Sequence, residues 1–144
     1  MKRSRRNDPN RQRAVEVVYK TLTHGRVFGY TGKQVRDAVH SRDLIAAFEA
    51  FTLAPRSAGV YNIGGDRHSN CSVLEGIQIA SALTGRAMPC SYEDQHRHGD
   101  HIWRLGGNSK FESHYPGWKL TCSISEILKE IFESNQAAWN HAVE

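Results

Sequence analysis

Residues 28–37 read Phe28-Gly29-Tyr30-Thr31-Gly32-Lys33-Gln34-Val35-Arg36-Asp37, and this stretch decides the fold class. Val27 and Phe28 favour an extended backbone. Gly29 and Gly32 bracket a turn, and Val35 begins a second extended run in which Val35 and Val39 share one face while Arg36 takes the other. Ser41 then stands where a cap starts a helix. The apolar stripe Leu44, Ile45, Phe48 and Phe51 continues that helix, which must end before Pro55. Strand, turn, strand, helix is the opening of an α/β protein.

Upstream, Ala14, Val17, Val18 and Leu22 recur at helical spacing from Arg13 to Thr23, with Gly25 as the stop. Downstream, Gly59-Val60-Tyr61-Asn62-Ile63, closed by Gly64-Gly65, predicts a buried strand. Ser72-x-x-Glu75 and Ser123-x-x-Glu126 are two capping boxes, each opening a helix. The first helix runs through Ile77, Ala80 and Leu83 to Gly85, and the second through Ile127, Leu128, Ile131 and Phe132 toward Trp139. Strands are expected at Ala87–Tyr92 and His101–Leu105, with a short helix from Asn108 to His114.

The 144 residues carry 19 Lys and Arg against 15 Asp and Glu, but the excess is local. Lys2, Arg3, Arg5, Arg6, Arg11 and Arg13 face only Asp8 in the first 14 residues, so residues 1–13 read as a basic, disordered arm and residues 14–144 as a near-neutral body. The arm could touch phosphate backbones, yet no aromatic residue in it offers a base a stacking surface, which argues against nucleic acid as the partner. No apolar run reaches the roughly 20 residues that span a bilayer, and no signal-like segment follows the basic start. Cys71, Cys90 and Cys122 are odd in number and form no CxxC pair, as expected of reduced thiols in a cytoplasm.

Several motifs are missing. No GxGxxG follows a strand to cradle a dinucleotide pyrophosphate. Gly32-Lys33 resembles a phosphate loop only faintly, since Val27 replaces its first glycine and Gln34 the magnesium-holding hydroxyl. The densest polar cluster is Asp94-Gln95-His96-Arg97-His98-Gly99-Asp100-His101. His96 and His98 would share a face of an extended segment, but Arg97 puts a fixed positive charge among them and the spacing fits no zinc pattern, so no metal is expected. Arg97 instead offers a planar fork to a phosphate. Arg36 reads either as a second anion-binding arginine or as a surface partner of Asp37 or Asp43.

Phe28–Asp37, followed by His40-Ser41-Arg42-Asp43-Leu44, Val60-Tyr61-Asn62-Ile63-Gly64-Gly65, Arg97-His98-Gly99-Asp100-His101-Ile102-Trp103 and Tyr115-Pro116-Gly117-Trp118, resembles the C-terminal half of extended short-chain dehydrogenases/reductases. These are NAD-dependent epimerases and dehydratases of nucleotide sugars. Within them the strings GKQVRD, YNIGG, SNCS and SHYPGWKL are most similar to the CDP-paratose 2-epimerase group. The resemblance covers about residues 26–135. It implies a partial Rossmann-type α/β fold, with one or two late strands and helices, joined to the small mixed α/β substrate-binding lobe.

It also implies what the chain does. In the family, NAD takes a hydride from a sugar carbon and returns it to the other face, with a tyrosine of a Tyr-x-x-x-Lys pair as base. Arg36 and Arg97 match positions that grip the substrate diphosphate, and Gln34 and Asp100 complete the implied substrate-binding set. The partner implied is a nucleotide-diphosphate sugar, with a CDP-sugar favoured. The glycine loop is absent, and no Tyr-x-x-x-Lys pair is expected, Tyr30 and Lys33 being three apart and Tyr19 and Lys20 adjacent. The chain therefore reads as a C-terminal fragment, inactive alone and not expected to hold NAD, that associates with a missing N-terminal half or with itself. A non-catalytic nucleotide-sugar or anion-binding module is the alternative. Gly106-Gly107-Asn108 departs from the family's Asp before Ser-Lys, with Asn108 expected to cap in its place.

Overall fold

A computed structural model of the chain describes residues 25–87, 89–95 and 98–140. The basic arm, the helix expected at Arg13–Thr23, His96, Arg97 and the side chain of Trp139 lie outside the described residues. In chain order the elements are β1 (Gly25–Phe28), β2 (Val35–Asp37), α1 (Ser41–Leu53), β3 (Asn70–Ser72), α2 (Val73–Thr84), β4 (Cys90–Glu93), β5 (Trp103–Arg104), α3 (Ser109–His114) and α4 (Ile124–Asn140). β1 pairs in parallel with β4, and β2 lies between antiparallel β3 and parallel β5. The chain is thus an α/β fold with one parallel and one mixed sheet. No described helix is long and apolar enough to cross a membrane.

The turn between β1 and β2 is built from left-handed residues, with φ of 65° at Gly29, 48° at Tyr30, 52° at Thr31 and 76° at Gly32. Glycine adopts such angles freely, whereas Tyr30 and Thr31 each pay roughly 1–2 kcal/mol. The Gln34 side chain compensates by donating through Nε2 to the carbonyls of Phe28 (2.5 Å) and Gly29 (3.1 Å).

The core sits on one side of α1. Ala47, Phe111, Tyr115 and Trp118 are buried together, with Ala46, Ala50, Phe51, Tyr61, Ile63 and Leu120 around them. Phe111 stacks on Tyr115 with centroids 4.5 Å apart and meets Trp118 edge-on at 5.1 Å. The polar tips are all partnered: Trp118 Nε1 donates to the Asp43 carbonyl (2.8 Å), and the Tyr115 hydroxyl to that of Ala54 (2.9 Å). A second cluster joins α2 to α4 through Ile79, Leu83, Leu128, Ile131 and Phe132.

Five expectations are corrected. Of the expected stripe, Phe51 does pack into the core, against Tyr61 and Tyr115, but Ile45 and Phe48 are 56% and 62% exposed. The rest of the inward face is Asp43, Ala46, Ala47 and Ala50, whose small side chains let the rings of α3 and its following loop approach. The cap of α1 is His40, whose Nδ1 accepts from the Arg42 N–H (3.0 Å), and Ser41 is already helical. β2 stops at Asp37, so Val39 lies beyond the strand. Residues 59–63 form no strand: Tyr61 and Ile63 point into the core, but the backbone is held by side chains instead of a ladder. Lys110 Nζ donates to the Val60 carbonyl (2.8 Å), and Asn108 takes both the N–H and the carbonyl of Gly64 (2.9 Å each). Asn108 is therefore wholly buried at the start of α3 without capping it.

Both capping boxes form. Ser72 and Glu75 exchange bonds at the start of α2, as do Ser123 and Glu126 at α4. The expected strand at Ala87–Tyr92 is β4 at Cys90–Glu93, and that at His101–Leu105 is the two-residue β5.

Candidate functional site

β2 is the element on which the candidate site is built, because alternation along a strand sends neighbours to opposite faces. Asp37 turns to one side. Its Oδ2 accepts from the N–H groups of Gly106 (2.8 Å) and Asp66 (3.2 Å), fastening the 64–66 and 106 segments to the end of the strand. Gly65 is required there, since any Cβ would collide with the backbones of Ser69 and Ala38.

Arg36 turns to the other side. Its Nη2 meets Asp100 Oδ1 at 2.5 Å, and its Nη1 donates to the Val35 carbonyl at 2.8 Å. Both side chains keep solvent access, about a third for Arg36 and a quarter for Asp100. The Tyr30 hydroxyl reaches the Asp100 carbonyl at 3.5 Å, so the left-handed turn also touches this loop. Two of the implied substrate residues, Arg36 and Asp100, are thus brought together across 64 positions of sequence. Gln34 is near in sequence but does something else. Its buried amide faces the β1 backbone, and its Oε1 has no hydrogen-bond partner. The position of Arg97 is outside the described residues.

One residue of this region escapes a reading of the sequence alone. Arg104 on β5 stands in register with Arg36 in the parallel pair, so the two side chains leave the same face of the sheet. Arg104 is exposed. The strand was legible in the sequence, but its register was not, and register alone makes the two arginines neighbours.

A pair at Tyr-x-x-x-Lys spacing is in fact present, which corrects the expectation that the chain holds none: Tyr115-Pro116-Gly117-Trp118-Lys119. The structure gives it no role as a base. Tyr115 ends α3, and Pro116 and Gly117 form a turn, so the two side chains do not sit one helical turn apart. The phenol is 7% exposed and donates to the Ala54 carbonyl. Burial, together with Tyr61, raises its pKa, which keeps the proton on.

The described α-helix starts do not offer the open N–H cradle that a dinucleotide pyrophosphate takes. Here every described α-helix carries a carboxylate in its first turn, Asp43, Glu75, Glu112 and Glu126 in order, and two of these starts are closed by their own capping boxes. Hydrogen bonds from the Ser72 and Ser123 backbones and hydroxyls hold Glu75 and Glu126 below the usual carboxyl range, so both are anionic and repel a phosphate. Among the described residues no group of three His, Cys, Asp or Glu side chains is placed to hold a metal ion. Burial, aided by Glu75, raises the Cys71 thiol, so it is not an activated nucleophile.

No protein-family model and no curated protein sequence matches the chain. Solved structures do. MoeE5, solved with UDP-glucuronic acid and NAD, is 25% identical with a TM-score of 0.67 over 91% of this chain and 42% of its own. UDP-glucose 4-epimerase from Bifidobacterium longum, solved with NAD+ and UDP, is 24% identical with a TM-score of 0.71 over 86% of this chain and 39% of its own. dTDP-glucose 4,6-dehydratase from Bacillus anthracis, solved with NAD, is 20% identical with a TM-score of 0.69 over 89% and 41%. The fold is therefore that of a portion of an extended short-chain dehydrogenase/reductase. More narrowly, the chain is similar in structure to nucleotide-sugar epimerases and dehydratases, and it spans about two-fifths of their length.

Proposed function

We propose that residues 14–144 form the sugar-nucleotide-binding portion of a nucleotide-sugar epimerase or dehydratase, with Arg36 as the principal anchor of the substrate diphosphate. The observation that carries this reading is the juxtaposition of Arg36 and Asp100 in a fold shared with such enzymes. A guanidinium suits the role because it is always charged and presents N–H groups in a fixed fork. Arg97 and Asp100 belong to the same set. Gln34 serves it indirectly, by holding the turn from which Tyr30 reaches Asp100. The strings GKQVRD and YNIGG favour a CDP-sugar and a likeness to CDP-paratose 2-epimerase.

The hydride chemistry of such an enzyme requires a glycine loop and a helical Tyr-x-x-x-Lys base, neither of which the described residues supply. We assign both to residues outside these 144, from a longer chain or a partner. Alone, the chain binds and does not turn over. A cytoplasmic setting agrees with three cysteines that form no disulfide.

Calorimetry tests the reading. CDP should bind the wild-type chain, and Arg36→Gln should weaken it about tenfold or more, as expected for loss of a charge-assisted contact. No heat at millimolar CDP overturns the proposal. NAD-dependent conversion of a CDP-sugar by the 144 residues alone overturns the division of labour.

A further inference from the structure

We infer that Arg104 is a further diphosphate-binding residue, beyond Arg36 and Arg97, and forms with Arg36 a two-guanidinium clamp on one face of the β2–β5 pair. This deepens the function proposed above and rests on it. Parallel strands lie about 4.8 Å apart, and residues in register leave the sheet on the same side, so the Arg36–Arg104 pairing sets two permanent cations side by side. Like charges at such positions repel. Among the described residues only one carboxylate answers them, Asp100, and it touches Arg36 alone, through a single Nη2–Oδ1 contact.

Two N–H groups of Arg36 are engaged, one by Asp100 and one by the Val35 carbonyl, which leaves about three of the five free. No hydrogen bond or ion pair holds Arg104 among the described residues, and the residue is exposed. A carboxylate is already accepted at this spot. The remaining charge and the open donors suit a ligand that carries more than one negative charge and several oxygens, which is the chemistry of a diphosphate. A sheet position that served structure alone would gain from a neutral side chain here. Trp103, one residue earlier on the same strand, shows that β5 tolerates bulk that carries no charge.

The test reads affinity and stability in the same variants. CDP and inorganic pyrophosphate are titrated into the wild-type chain, Arg104→Gln, Arg36→Gln and Arg26→Gln. Arg26 lies on β1 with its own partner Glu93, so its loss changes net charge equally without touching the clamp. Arg104→Gln should weaken both ligands by about two- to fivefold. Its melting temperature should equal or exceed that of the wild type, because a repulsion has been removed, and Arg26→Gln should bind as the wild type does. Equal affinity of Arg104→Gln and wild type, while Arg36→Gln still weakens binding, overturns this inference and spares the proposed function. So does an affinity loss matched by a lower melting temperature. If no variant binds either ligand, the nucleotide-sugar reading fails and the clamp falls with it.

Discussion

Around Trp118 the aromatic rings are buried or half-buried and the indole N–H and Tyr115 hydroxyl have partners, whereas Ile45 and Phe48 on the far face of α1, Ile102 and, on β5, Trp103 lie open to solvent. Two tryptophans of one chain make the contrast plain: Trp118 is 5% exposed and Trp103 is 68% exposed. The closed side is an aromatic lobe completed by local sequence, since Phe111, Tyr115 and Trp118 fall within eight residues and pack onto alanines of a single helix. The open side consists of short strands and the outer face of that helix. Folding strength and the exposed apolar side chains therefore reside in different regions, and substitutions should separate them.

The largest effect belongs to the closed side. Trp118→Ala removes a ring in edge contact with Phe111 and an indole N–H bonded to the Asp43 carbonyl. It should cost about 3–5 kcal/mol in urea unfolding, enough to unfold much of the population. Trp103→Ala should stay within about 0.5 kcal/mol. Comparable losses from the two would erase the contrast, and would mean that Trp103 is covered in solution, most simply by a second copy.

A smaller effect, and one that depends on pH, centres on Asp43. Its carboxylate is buried beneath the core and receives the Thr121 hydroxyl (2.5 Å), the Thr121 N–H (3.0 Å) and the Cys122 N–H (3.2 Å). Burial pushes its pKa up, but these three bonds, with His40 nearby, outweigh it and leave the group below the usual carboxyl value. A folded-state pKa below the unfolded one adds stability that is fully present above the unfolded value and is lost as the pH falls through the folded one. Acid below about pH 4 should therefore weaken the closed lobe first. Asp43→Asn should cost about 1–3 kcal/mol at pH 7 and flatten the acid limb of the stability curve, read by denaturation from pH 7 down to pH 2.5. An unchanged acid limb would show that Asp43 is not the group that matters.

What could be seen in the sequence divides along the same line as local and non-local structure. The capping boxes, the turn at Gly29–Gly32, the end of α1 before Pro55 and the helix after Ser123 depend on residues within four positions of one another, and each appears where the pattern put it. Most of the buried face of α1 did not, because hydrophobicity favours Ile45 and Phe48 while the distant rings of Phe111, Tyr115 and Trp118 need the alanines. Val60–Ile63 has the alternation of a strand, with Tyr61 and Ile63 inward, yet its backbone partners are the side chains of Lys110 and Asn108. For the candidate site, Arg36 and Asp100 could be named from the sequence, but not their contact. Arg104 could not be named at all, since strand register is invisible in a single sequence.

The mildest perturbation compares the two capping boxes, one on each side of the divide. Ser72 closes the start of α2 at the end of β3, in the sheet that carries Arg36, while Ser123 closes α4 just after the Thr121–Cys122 segment that Asp43 holds. Chemically the boxes are equivalent, each with a glutamate whose pKa the serine's backbone and hydroxyl lower. Ser72→Ala and Ser123→Ala should each cost about 1 kcal/mol at pH 7. The losses should shrink in acid as Glu75 and Glu126 are protonated and the boxes weaken even in the wild type. Equal losses would mean that α2 and α4 unfold together, as their shared cluster around Leu128 requires. A loss at Ser123 with none at Ser72 would place the sheet bearing the two arginines outside the cooperative unit, and would locate the chain's structural weakness at its candidate binding face.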